Sequence, residues 1–314
     1  MGTCRRAYDR SLCEFRRIMI MSIFSILKSI SSHPLNQNHK LRAISRFIRW
    51  QVGAKLNPYP IVYPFTEKSK LIIQKGVDGA TGNFYCGLYE YYDMSFLLHF
   101  LRQEDTFADV GANIGSYTIL AAGHVGAKTF SFEPVPVTFS YLMDNVGINR
   151  LGDRVMAFNI ALGVQKGTVG FTCLSDTTIN HVACKNDVDV ISVPVETLDD
   201  VLENQQAPAL LKIDVEGFET EVLAGGNKIL RNSNLKAIII ELNGSGKRYG
   251  YDEQNIHNLL LGLGFNPFLY TPEKRLLTNI NSFGTHNTIY IRDVDFVQNR
   301  LNSADKIRIL GSEF

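Results

Sequence analysis

The segment Asp109-Val110-Gly111-Ala112-Asn113-Ile114-Gly115 joins an apolar run, Thr106 to Val110, to a helical one, Ser116 to Ala122. Gly111 and Gly115 let the backbone come close to a ligand, and the first N–H groups of the following helix lack intrahelical partners. Such a turn offers donors to a carboxylate or a phosphate. Glu133 ends the next apolar run, Thr129 to Phe132, twenty-four positions after Asp109. A carboxylate there can accept both hydroxyls of a ribose. Two nucleoside ligands suit this pair, a nicotinamide dinucleotide and S-adenosylmethionine. The dinucleotide fingerprint needs glycines where this chain has Asn113 and Ser116. Asp109 would also repel a pyrophosphate, whereas it suits a positively charged amino group. Asn113 can stand in for glycine because asparagine tolerates left-handed backbone. S-adenosylmethionine is therefore favoured. A nicotinamide oxidoreductase and a catalytically silent cofactor-binding module are the rival readings.

A second acidic group lies in Leu210-Leu211-Lys212-Ile213-Asp214-Val215-Glu216-Gly217-Phe218-Glu219. Asp214 ends an apolar run at the carboxyl edge of a strand, where open α/β sheets bind ligands. Glu219 and Glu221 read as first-turn helix acids favoured by the dipole, which leaves Asp214 and Glu216 as functional candidates. A hydroxyl acceptor is a weak nucleophile and needs a positioned base. Asp214 is the first choice, Glu216 the second and Glu241, after Ile238-Ile239-Ile240, the third. His181 and His286 are rivals with better-matched proton affinity. Clustered carboxylates at Asp214, Glu216 and Glu241 would also suit a divalent cation, but no spacing demands one and no metal is assigned.

These residues need a sheet to position them. Short apolar runs at 106–110, 129–132, 155–160, 210–213, 237–240 and 288–291 alternate with helical stretches after Ser116, Pro136, Thr220 and Glu253. That alternation predicts an α/β fold with a mostly parallel sheet and helices on both faces. Between Gly163 and Pro194 the chain turns polar, with β-like pieces at 168–173 and 190–195, as a lid or substrate loop would. Leu41, Ile44, Phe47, Ile48 and Val52 recur at helical spacing among Lys40, Arg42, Arg46 and Arg49. The expected division is a basic extension over 1–69, partly helical or disordered, a catalytic domain over 70–295 with its insertion near 163–194, and a tail over 296–314.

Four blocks, Phe107 to Thr118, Phe132-Glu133-Pro134, Asn159 to Gly163 and Lys212 to Gly217, occur in that order in FkbM-type methyltransferases, which the chain resembles from about Gly87-Leu88-Tyr89-Glu90 to Asn287-Thr288-Ile289-Tyr290. The resemblance implies a class I, Rossmann-like fold with a seven-stranded sheet. It also implies an S-adenosylmethionine-dependent O-methyltransferase acting on a sugar, glycan or secondary-metabolite hydroxyl. By position, Asp109, Gly111, Asn113, Gly115 and Glu133 would hold the cofactor, Asn159 and Ala161 would lie near the adenine, and Glu90 joins the cofactor set.

Composition narrows the partners. The 314 residues carry 32 basic and 31 acidic side chains, a net charge of +1 that argues against a nucleic-acid partner. Residues 1–55 hold eleven Lys/Arg against Asp9 and Glu14, so the arm carries +9 and the remainder −8. Such an arm admits peripheral contact with an anionic membrane, and the acceptor is expected to be a small molecule or glycan. Five cysteines without a C-x-x-C pair suggest reduced thiols and a cytoplasmic setting, with the inner membrane face as the peripheral variant. The run from Ile18 to Ile30 is too short to span a bilayer, and no A-x-A-like site follows it as a secretory signal would require.

Overall fold

The structure, a computed structural model, describes residues 23–57, 59–173, 180–185 and 187–314. Residues 1–22 of the expected basic extension and residues 174–179 of the expected insertion lie outside them. A helix over residues 23–32 (α1) and α2 (Lys40–Leu56) precede a hairpin of β1 (Ile61–Pro64) and β2 (Lys70–Ile73). Helices α3 (Asp78–Cys86) and α4 (Tyr91–Phe100) lead into β3 (Thr106–Val110) and α5 (Ser116–Ile119). That helix continues through Leu120–Val125 in a wider, π-type turn. Then come β4 (Lys128–Phe132), α6 (Pro136–Ile148), β5 (Val155–Phe158), β6 (Ala161–Leu162), β7 (Gly167–Thr172) and β8 (Val190–Glu196). The second half runs α7 (Leu198–Val201), β9 (Leu210–Ile213), α8 (Glu219–Ala224), α9 (Asn227–Arg231), β10 (Ala237–Glu241) and α10 (Glu253–Gly262). It ends with β11 (Asn266–Thr271), β12 (Leu276–Asn279), β13 (Asn287–Ile291), α11 (Val294–Asn302) and the small hairpin β14 (Arg308–Ile309) with β15 (Ser312–Glu313).

Eight strands form the main sheet in the order β12-β11-β13-β10-β9-β3-β4-β5. The five from β10 to β5 are parallel, and β13 runs antiparallel between β10 and β11. The expected seven strands are present, but an eighth, β12, lies on the edge. The turn through Pro272–Lys274 and left-handed Arg275 folds the chain straight back along β11.

Central strands β3 and β9 are buried throughout and β10 at all but its last residue, which is why they read as continuous apolar runs. Successive side chains go to opposite faces. Phe107, Leu210, Ala237 and Ile239 pack under α4, α5, α6 and α11, whereas Ala108, Leu211, Ile238 and Ile240 pack under α8, α9 and α10. Strands β6, β8 and β7 form a separate three-stranded sheet that carries the insertion, closed by Val135, Ala161, Phe171, Val182, Val193 and Val195.

Two expected boundaries fall inside packed structure. The division at 69/70 cuts the β1–β2 hairpin, whose Leu71 and Ile73 belong to the main core. The stretch 296–314, read as a tail, buries Val297, Leu301, Ile307, Ile309 and Phe314 in that core. Full burial of such a side chain contributes about 1.5–3 kcal/mol, so the segment supplies on the order of 10 kcal/mol, comparable to the whole stability of a domain. Deletion of residues 294–314 should therefore leave a chain without a cooperative melting transition. A truncated protein melting within a few degrees of the parent would contradict this packing.

Candidate functional site

The strand order reverses between β3 and β9, and the crevice outside their carboxyl ends is the cleft. It encloses about 240 Å³, lined by the β3–α5 turn, the ends of β4, β9 and β10, the α3–α4 junction and the insertion. Gly111 (φ 79°) is required by contact as much as by conformation, because a Cβ there would lie 1.8 Å from the Asp214 carbonyl. Its N–H and that of Ala112 donate to the Phe132 carbonyl at 3.0 and 2.9 Å, locking the turn against β4. Asn113 adopts the left-handed backbone (φ 50°) expected of it and lines the cleft. Gly115 does not line the cleft. Its left-handed backbone (φ 88°) starts α5, and a Cβ would strike Leu142.

Asp109 is 1% exposed. Thr118 Oγ1 donates to its Oδ2 at 2.6 Å, while Oδ1 is buried in the cleft wall without a hydrogen-bond partner among the described residues. Burial pushes the Asp109 carboxyl up, and the Lys212 ammonium draws it back. Glu133 accepts from the Asn113 N–H through Oε2 at 2.9 Å and from the Val135 N–H through Oε1 at 3.0 Å. Each oxygen keeps a lone pair for a further donor. Ala161 and Ile160 form an apolar wall beside it. Asn159 lies behind that wall rather than in it, where its Nδ2 donates to the carbonyls of Glu133 and Pro134 at 2.8 and 3.0 Å. It positions the Glu133 loop.

Lys212, quoted in the sequence only as part of a block, is the cation of the site. It is 3% exposed, its Nζ donates to Asp214 Oδ2 at 2.8 Å, and it lies 4.8 Å from the Tyr117 ring centroid. Burial opposes its charge, yet Asp214, Glu90 and Asp109 together hold it above the usual lysine range. Glu90 lines the cleft. Burial raises its carboxyl against the pull of Lys212, and Asn287 Nδ2 donates to Oε1 at 2.6 Å. The available signal was chemical: a lysine inside an apolar strand must have a charged partner.

Asp214, Glu216 and Glu241 converge, with ligand oxygens within 4.8 Å of one another. The turn that aims the first two uses left-handed Glu216 (φ 53°) and Gly217 (φ 102°). Glu219, read from sequence as a helix-dipole acid, is 1% exposed and ties this turn by accepting from the Val215 and Gly217 N–H groups at 3.2 and 3.1 Å. Glu221 accepts from the Tyr251 hydroxyl at 2.7 Å. Burial first, then the Asp214 and Glu216 charges and a hydrogen bond to Asp214, push Glu241 up to about 9. Raised that far, the Glu241 carboxyl favours its protonated form at neutral pH and can donate to Asp214. The same three carboxylates are the group that could hold a divalent cation.

His181 is not brought to this cluster. It pairs with Asp187 at 3.2 Å within the insertion, outside the cleft lining, because its neighbour Val182 takes the inward position opposite Phe171. His286 is exposed ahead of β13. Sequence reasoning also passed over Tyr89, Phe171 and Phe218 at the cleft, the last meeting Tyr249 edge-on at 5.5 Å.

A sequence model of the Methyltransferase FkbM domain matches residues 109–267, the span that holds Asp109, Glu133, Asp214 and Glu241. The chain belongs to the FkbM methyltransferase family. Hexuronic acid methyltransferase AglP of Haloferax volcanii is 28% identical over 210 residues, covering 65% of this chain and 74% of that protein. The 31-O-demethyl-FK506 methyltransferase FkbM of Streptomyces tacrolimicus is 34% identical over 157 residues, 40% of this chain and 60% of that one. A solved FkbM methyltransferase from Methylobacillus flagellatus aligns at a TM-score of 0.43 and 17% identity over 68% of this chain and 55% of that chain, a likeness that adds nothing to the strand order itself. The FkbM cleft described above is therefore that of a methyltransferase with an S-adenosylmethionine-type cofactor.

Burial is the first cause that pushes Glu133, Glu219 and Asp93 up to about 7, as it does Glu241 to about 9. Ordinary carboxylates titrate near 4, so these groups take up protons on folding. Their stabilising contribution is complete below about pH 4 and is lost as pH rises through about 7 and then about 9. The melting temperature of the cofactor-free protein should fall across that window. Glu241→Gln keeps a donor to Asp214 without the titration and should remove the decline above about pH 7. A melting temperature independent of pH in the parent would rule out the buried-acid arrangement.

Proposed function

We propose that the protein transfers a methyl group from S-adenosylmethionine to a hydroxyl of a sugar, glycan or related small metabolite. The observation that carries this reading is the buried Asp109 Oδ1, a carboxylate oxygen in the cleft wall that no donor among the described residues reaches. A cationic amino group satisfies it, whereas a pyrophosphate would face it with like charge. The FkbM relative's 31-O-demethyl substrate and the hexuronic acid of AglP support oxygen as the accepting atom and a sugar or metabolite as its carrier.

The residues present fit that cofactor. Asp109 Oδ1 would accept from its ammonium, Glu133 from its ribose hydroxyls, and Ile160 and Ala161 would flank its base. When bound, the cofactor supplies an electrophilic methyl group on cationic sulfur. The Asp214 and Glu216 carboxylates make this end of the cleft favourable for positive charge, and Phe171, Val182 and Phe218 exclude water from it. In-line displacement needs alignment more than covalent help. Lys212 holds the Asp214 carboxylate in place through Oδ2, and Asp214 is the base that takes the proton of the acceptor hydroxyl.

Titration with S-adenosylhomocysteine and with NADH tests the cofactor. Asp109→Ala and Glu133→Ala should each weaken S-adenosylhomocysteine binding by about 1.5–3 kcal/mol, the scale of hydrogen bonds to charged groups. Preference for NADH, or unchanged affinity in both folded variants, would refute the assignment. A labelled-methyl screen over sugars and glycans then supplies an acceptor. With it, Asp214→Asn should slow single-turnover transfer by roughly 10²–10⁴ with little change in cofactor affinity. A rate within a few-fold of the parent would move the base to Glu216.

A further inference from the structure

Helix α2 carries two apolar faces. Ala43, Phe47 and Trp50 turn inward and pack against α3, where Phe47 meets Tyr85 and Trp50 meets Phe84. Leu41, Ile48, Val52 and Leu56 recur at helical spacing on the opposite side and are 83, 53, 53 and 81% exposed. At 3.6 residues per turn these four form one stripe, bordered by exposed Arg42 and Arg49 on one flank and by Lys40 and Lys55 on the other. Arg46 alone is drawn inward, donating to Asn36 Oδ1 and the Tyr85 carbonyl. No Asp or Glu occurs between Glu14 and Glu67.

We propose that this stripe is a docking surface for an anionic lipid bilayer, with α2 lying in the membrane interface. A bilayer surface takes up an apolar helix face to a depth of roughly 5–10 Å while flanking lysines and arginines reach back to the headgroups. The basic flanks complement anionic lipid. They also disfavour a second copy as the occupant, since pairing α2 with α2 would set the same basic rows against each other. The helix lies on the membrane rather than across it, because no helix among the described residues is long and apolar enough to cross one. The attachment bears on the cleft. α1 and α2 pack on the α3–α4 region, and His33 Nε2 sits 3.3 Å from the carbonyl of Tyr89, a cleft-lining residue.

Co-sedimentation of the full chain with phosphatidylcholine vesicles, with and without phosphatidylglycerol, tests this without reference to methyl transfer. The parent should partition to the anionic vesicles and be released by salt. Arg42→Glu with Arg49→Glu should lower that partitioning by at least fivefold for each basic side chain removed, since each is worth about a factor of five near such a surface. Ile48→Glu with Val52→Glu should abolish it, and both pairs should leave the melting temperature unchanged because all four side chains are exposed. Equal sedimentation of parent and variants would overturn the proposal, as would indifference of the parent to anionic lipid. A dimer in solution broken by the same substitutions would also overturn it, assigning the face to a second copy.

Discussion

Burial favours the neutral form of an amine, so a lysine at 3% exposure keeps its charge only if anions surround it. Lys212 does so because the parallel register of β3 and β9 sets it directly beside Asp109, while Asp214 follows two residues on and Glu90 comes across from the α3–α4 junction. The dependence is mutual. Removing one member of such a buried set leaves the others uncompensated, at a cost of about 3–5 kcal/mol. A slip of one residue between β3 and β9 would turn Lys212 and Asp214 to the other face and part them from Asp109 and Glu90. Strand register and site chemistry are therefore a single constraint, and the apolar residues that pin the register, Phe107 with Leu210 and Ala108 with Leu211, belong to the catalytic argument as much as to the core.

The parallel strands were legible because burial on both faces leaves little choice of residue, as in Ala237-Ile238-Ile239-Ile240. Asp109, Asn113, Glu133 and Asp214 were legible because each sits at the carboxyl end of such a strand or in the turn behind it. Strands β11 and β12 were not. Asn266-Pro267 and Thr278-Asn279 carry turn-forming residues, and it is pairing with β13 and with each other that makes them strands. His181 and Asn159 show a different limit, since composition nominates a side chain but only local register decides whether it reaches the cleft. Glu219 shows the converse. Its place in a first helical turn suggested a solvated acid, and the two left-handed residues before it turned it inward as a tie for the turn.

The Asp214 turn and the Gly111 turn cannot move independently. The Asp214 carbonyl occupies the space a side chain at 111 would need, and the Asp214 N–H donates to the Val110 carbonyl at 3.0 Å. The base candidate and the cofactor turn are thus held at fixed separation by backbone alone, with no reliance on the rotamers of either. Cofactor recognition can vary through Ile160, Ala161 and the insertion without disturbing that separation.

The placement of β13 has a consequence for how the protein is made. It lies between β10 and β11, although the ribosome delivers it after both. Until residues 287–291 emerge, β10 presents Ile238, Ile239 and Ile240 as an unpaired edge, and β11 with β12 has no place in the sheet. A nascent chain of this protein therefore carries its most apolar strand edge exposed for the time needed to add some fifty residues, a few seconds at usual synthesis rates. Translation speed over that stretch, and any holdase that covers the edge, would govern how much of the product reaches the native sheet rather than pairing with a neighbouring nascent chain.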